Sequence, residues 1–141
     1  MAFGGEYRHG LDAKNRIFIP AKMREGLGQT FHIAKCFHEK CLRIYSNEAW
    51  EQFLAPLRAK PKSVSAKAIR LMCSTMAEVT PDSQGRVVLP AELIKYAQID
   101  RNLVIVGCDE YVEIWSEKLY ADLKETEDVA AILAELEALG Y

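Results

Sequence analysis

The stretch Asp82–Glu92 reads DSQGRVVLPAE. It holds an aspartate suited to accept backbone N–H groups in a turn, a glycine free to take positive φ, an arginine, three apolar strand-type residues and a proline that ends the strand. Seventy residues earlier, Asp12–Lys22 reads DAKNRIFIPAK, so that Asp12/Asp82, Arg16/Arg86, Pro20/Pro90 and Ala21/Ala91 coincide without a gap. Leu42/Val112, Ile44/Ile114, Tyr45/Trp115, Ser46/Ser116 and Trp50/Tyr120 match in kind at the same offset. One offset kept over about forty residues marks a tandem duplication, and this self-similarity organises every other assignment.

Each copy predicts the same local elements. Tyr7, His9 and Leu11 alternate with Arg8 and Gly10 into the Asp12–Arg16 turn, and Ile17–Ile19 leave it as a strand that Pro20 ends. Residues 78–81 enter and residues 86–89 leave the second turn, where Gly85 stands in the place of Asn15; both tolerate positive φ. Short helices follow at 21–27 and 91–97, then strand pairs 31–37 with 41–45 and 103–106 with 111–115. Four short strands and one short helix therefore make each half. Ser46 is placed to cap a helix carrying Trp50, Phe53, Leu54 and Leu57, and a second helix covers 65–76 with Ile69, Met72, Cys73 and Met76 on one face. Thr126 is expected to open a last helix whose stripe is Val129, Ile132, Leu133, Leu136 and Leu139.

A chain of 141 residues is short for two independent domains, so the halves are expected to share one body or to be stabilised by oligomerisation. No apolar run approaches the roughly 18 residues of a membrane span, and residues 1–10 lack the apolar core of a secretory signal. A soluble cytoplasmic protein is the expectation. Net charge is −2 but unevenly placed: residues 1–70 hold 13 Lys+Arg against 6 Asp+Glu (+7), and residues 71–141 hold 5 against 14 (−9). Such a split suits a polyanionic partner on one face, or pairing of one subunit's front with its neighbour's back.

His32, Cys36, His38 and Cys41 crowd together, but the cysteines form no close CxxC pair; strand residues are the better account, and no metal or cofactor is expected. GxSxG, P-loop, GxGxxG and HExxH patterns are all missing, so the chain does not read as an enzyme. Asp12 and Asp82 are placed as turn-fixing residues rather than as a catalytic pair. Arg16 and Arg86 leave two readings open. Each pairs with its own aspartate across the loop, an arrangement worth about 0–1 kcal/mol when exposed, or each is held out as a planar cation for a phosphate or a guanine edge.

The doubled D-x-x-[GN]-R pattern, with GEYRHGLDAK ahead of the first copy and EIWS near the end of the second, resembles the MraZ family of bacterial transcriptional regulators over residues 4 to about 120. The resemblance implies an α+β fold in which two pseudo-symmetric AbrB-like halves form a tandem swapped-hairpin β-barrel with flanking helices. The divisions that follow are a first half at 5–51, a helical connection at 52–75, a second half at 76–121 and a C-terminal helix at 122–141. It further implies a DNA-binding protein of the cytoplasm and nucleoid, assembled as a homo-oligomeric ring of about eight subunits. Its partner would be double-stranded DNA carrying short direct repeats, in the promoter of the division and cell-wall gene cluster. Carried onto this chain, the contacting residues are Arg16 with Lys14 and Asn15, then Arg86 and Gln84, with Arg8 and His9 assisting. Asn15 departs from the family's usual glycine. The rival reading is an AbrB-like protein-binding or assembly module for which DNA binding is incidental.

Overall fold

Each repeat lends its first strand to the other. The computed structural model describes residues 2–141. The first repeat comprises β1 (Glu6–Gly10), β2 (Arg16–Phe18), α1 (Ala21–Leu27), β3 (Phe31–Lys35) and β4 (Leu42–Ser46), followed by α2 (Asn47–Arg58) and α3 (Lys62–Ser74). The second comprises β5 (Ala77–Val79), β6 (Arg86–Val88), α4 (Ala91–Tyr96), β7 (Asn102–Cys108) and β8 (Tyr111–Ser116), and α5 (Glu117–Thr126) and α6 (Val129–Ala138) complete the chain. The strands form an antiparallel sheet in the order β1-β7-β8-β4-β3-β5 and a separate β2-β6 ribbon. Exchanging the repeats reverses the sheet order onto itself, so the fold has an approximate two-fold axis running between β4 and β8 and through the ribbon.

β1 and β2, read from the sequence as a strand, a tight turn and a strand, do not pair with each other: β1 pairs with β7 and β2 with β6, both in the other repeat. The closed barrel is also not formed, because the large sheet is open, with β1 and β5 at its edges. The ribbon stops after three residues per strand, because Asn15 N and Gly85 N turn back to Asp12 O and Asp82 O instead of crossing to Leu89 and Ile19. Only Ile19 N donating to Gly85 O (3.0 Å) and Leu89 N donating to Asn15 O (2.8 Å) prolong it.

The pairing also refines the internal repeat. Ile33 pairs with Ile44 and Ile105 with Ile114, so β3 and β7 correspond at an offset of 72, whereas β4 and β8 keep 70. The first repeat has the longer β3–β4 hairpin and the shorter connection before β3. A shift of two keeps every side chain on its original face, since strand side chains alternate with period two. Ile17/Val87, Ile19/Leu89, Met23/Leu93, Ile33/Ile105 and Ile44/Ile114 consequently meet as equivalents in one buried core under the ribbon. Each such aliphatic side chain contributes about 1.5–3 kcal/mol on burial.

The opposite face of the sheet is covered by helices. Ser46 Oγ accepts from Ala49 N at the start of α2, and Ser116 Oγ accepts from Leu119 N at the start of α5. Trp50 and Leu54 of α2, with Met72, Cys73 and Met76, pack on Ala34 and Tyr45, while α5 lays Leu119 and Leu123 on Val104 and Trp115. The helix after Pro61 begins at Lys62 rather than Ser65. The last helix is capped by Asp128, whose side chain accepts from Ala131 N; Thr126 instead returns its hydroxyl to Asp122 O and Leu123 O and ends α5.

Of the four residues that crowd together in sequence, His32 stacks on Trp50, Cys36 and Cys41 are buried at the base of the β3–β4 hairpin, and His38 is exposed in its loop. Burial pushes the Cys41 thiol far above its ordinary range, and burial followed by the Glu113 carboxylate pushes the Cys108 thiol up to about 12. Among the described residues no helix is long and apolar enough to cross a membrane.

Candidate nucleic-acid interface

The two turns are built to the same plan. Asp12 Oδ1 accepts from Lys14 N (2.9 Å) and Arg16 N (2.8 Å), and its Oδ2 accepts from Arg16 Nε (2.7 Å). Asp82 repeats the set with Gln84 N (3.0 Å), Arg86 N (2.9 Å) and Arg86 Nε (2.9 Å). The backbone N–H of each arginine, aided by its guanidinium, holds each aspartate below its ordinary carboxylate value of 3.8. Asn15 and Gly85 take φ of 59° and 81°, which turns their carbonyls toward the other repeat's strand to receive the bonds from Leu89 and Ile19. Aspartate, positive-φ residue and opposing strand together fix each tip.

The pairing of each arginine with its own aspartate is formed in both turns, and it engages one edge of the guanidinium. Each guanidinium turns its Nε inward to its own aspartate, and among the described residues its two terminal nitrogens have no protein hydrogen-bond partner. Arg16 and Arg86 side chains are 26% and 30% exposed. A pair of this kind orients a cation without covering its outer edge, the edge that makes bidentate contacts. Lys14, Asn15 and Gln84 are exposed at the tips. Arg8, by contrast, faces Glu6 and Glu117 along β1, and His9 lies against Phe18 with ring centroids 5.4 Å apart.

The ribbon joins the tips into one surface. Ile17 and Val87 point into the core, so their neighbours point out: Arg16 opposite Val88, and Phe18 opposite Arg86. Two residues that the sequence does not single out belong to this surface. Phe18 is partly exposed between the arginines, and Arg24 of α1 reaches across to the second tip, donating Nε to Ile19 O (2.9 Å) with its Cζ 5.6 Å from the Phe18 ring. Gly85 makes room for it, since a Cβ there would lie 2.6 Å from Arg24 Cζ. Alternation along β2 would have exposed Phe18. Arg24 gives less warning, because its counterpart at offset 70 is Ile94. The surface thus gathers Lys14, Arg16, Arg24 and Arg86 against Asp12 and Asp82, a local excess of positive charge on a protein of net charge −2.

A tandem-repeat α+β protein with strands exchanged between its halves and a two-stranded cationic ribbon on its outside is the class these features define. Comparison with known proteins places it further: the family described as "MraZ protein, putative antitoxin-like" matches twice, over residues 2–71 and 72–136. The chain belongs to the MraZ family. Its relatives include proteins named Transcriptional regulator MraZ from Desulfitobacterium hafniense strain Y51, 42% identical over 136 residues and 94% of each chain, and from Carboxydothermus hydrogenoformans, 42% identical over 120 residues, 84% of this chain and 83% of that one. Another of the same name, from Clostridium acetobutylicum, is 38% identical over 141 residues, 98% of this chain and 99% of its own.

Proposed function

We propose that this protein is a sequence-specific DNA-binding transcriptional regulator that sets the β2–β6 ribbon into a major groove. The observation that carries this reading is the outward face of the ribbon, where Arg16 and Arg86 are held by their aspartates through Nε, with no hydrogen bond from their terminal nitrogens among the described residues, and Lys14 and Arg24 stand beside them. A two-stranded ribbon fits the roughly 12 Å width of the B-DNA major groove. The names of the relatives point the same way. Arg16, with Lys14 and Asn15, is the principal contact, and Arg86 and Gln84 contribute from the second tip. The target is short direct repeats in the promoter of the division and cell-wall gene cluster, bound in the nucleoid by a ring of about eight copies whose later contacts are intramolecular and gain about 10²- to 10⁴-fold.

Binding to repeat-containing promoter DNA across a salt series tests the reading. Arg16→Ala is expected to abolish specific binding while changing stability by at most about 1 kcal/mol, because the Asp12 pair is partly exposed. Arg86→Ala is expected to weaken binding and to flatten the log-log salt slope by about 0.9 for every phosphate that each subunit ceases to neutralise. Unchanged binding by both variants rejects this function. The charge split and the exposed apolar side of α6 favour a second reading, an assembly module for which DNA is incidental. Failure of the wild-type protein to be retained on promoter DNA at low salt would select it.

A further inference from the structure

The last helix carries a stripe of large apolar side chains flanked by Glu135 and Glu137, and among the described residues that stripe packs into no part of the core. Val129, Ile132, Leu133, Leu136 and Leu139 are between 39% and 74% exposed, and none joins a buried cluster. An apolar stripe of this length marks a surface that is covered in the working protein. Its setting is acidic: from Glu125 onward the chain carries Glu125, Glu127, Asp128, Glu135 and Glu137 and no lysine or arginine. α3 is its complement. Val64 and Leu71, seven residues apart, are exposed on α3, with Lys67 and Arg70 beside them, Lys60 and Lys62 near its start and no acidic residue from Lys62 to Ser74.

We propose that α6 of one copy of this chain docks on α3 of a second copy. Pairing α6 with α6 would set acidic rim against acidic rim, and pairing α3 with α3 would do the same with bases; only the crossed contact joins opposite charges around an apolar centre. The helices are 10 and 13 residues long, so the α6 stripe fits within the length of α3. The two faces are different parts of the chain, which makes the contact head-to-tail and allows a third copy to add to the second. This deepens the oligomer in the proposed function and rests on that part of it, independently of DNA.

The test is the mass in solution of the full chain and two paired variants, with helicity checked by circular dichroism. L133D/L136D removes the α6 face and V64D/L71D removes the α3 face. Wild type is expected to exceed the 15.9 kDa of one chain, and each variant alone to be a folded monomer. Mixed in equal amounts, the variants retain one working contact per pair and should form a 1:1 complex of about twice that mass and nothing larger. If the α3 variant alone assembles like wild type, α6 pairs with itself and the proposal is wrong. It is equally overturned if the α6 variant assembles like wild type, or if the mixture stays monomeric. A milder set decides the matter should an aspartate variant fail to fold: K67E/R70E should lose assembly and regain it when mixed with E135K/E137K, and no recovery rejects the contact. A wild-type chain that is monomeric at high concentration instead removes the oligomer reading itself, leaving the DNA reading to its own test.

Discussion

Arg43 and Glu113 occupy the same position in the two repeats and face each other across β4 and β8, with Arg43 Nε 3.4 Å from Glu113 Oε2. A residue on a two-fold axis meets its own counterpart. Had the repeats stayed identical here, two like charges would meet in a site where the side chains are only 20% and 13% exposed. Opposite charges instead favour a first repeat against a second, and disfavour either repeat pairing with a copy of itself in another chain.

Glu113→Arg is expected to cost about 3–5 kcal/mol, because it leaves Arg43 facing a like charge in a partly buried site. It also removes the acceptor of the Trp115 Nε1 bond, 3.0 Å long. The exchanged pair Arg43→Glu/Glu113→Arg should recover a large part of the loss, read from urea midpoints. A double variant no more stable than the sum of its parts would show that the pairing itself contributes little.

At the tips, Gly85→Ala should destabilise and Asn15→Gly should be nearly neutral. Alanine at φ 81° is strained and meets the Arg24 guanidinium, so a loss of about 1–2 kcal/mol is expected together with displacement of Arg24. Asn15 already holds φ 59°, a conformation glycine adopts freely, and Asn15→Gly should stay within about 0.5 kcal/mol of wild type. Thermal unfolding of both proteins measures the difference.

Acid should loosen the tips. Asp12 and Asp82 are depressed below 3.8 in the folded protein, chiefly by the backbone N–H groups of Arg16 and Arg86. Their contribution to stability is therefore complete well above 3.8 and is lost as pH falls below it, through the depressed folded values. Carboxyl titration by NMR should place both midpoints below 3.8, and Asp12→Asn/Asp82→Asn should flatten the acid limb of the stability curve. Midpoints at or above 3.8 would contradict the observed turn bonds.

Much of this fold is legible because the signals are local. The aspartate, positive-φ residue and arginine specify each turn, proline marks where each ribbon strand gives way to a helix, and Ser46 announces the cap of α2. Strand partners are not legible: a tight turn between two apolar runs looks the same whether its arms pair together or separate into different sheets, as β1 and β2 do. The β3–β7 correspondence is hidden because a shift of two leaves the alternation unchanged. α5 is faint although Ser116 matches Ser46, since Leu119, Tyr120 and Leu123 make only a brief stripe. Arg24 escapes because its relation to the second tip runs through the exchanged fold and not through the sequence near either residue.

The crossing of β1 to β7 and β5 to β3 separates two responses to dilution. Between unlinked chains that exchange would be second order, and scarce protein would fall apart. Joined through α2 and α3 it is first order, so each ribbon is complete however few molecules a cell holds. The proposed docking of α6 on α3 would keep its threshold, so that abundance would govern how many ribbons act together without altering any one of them.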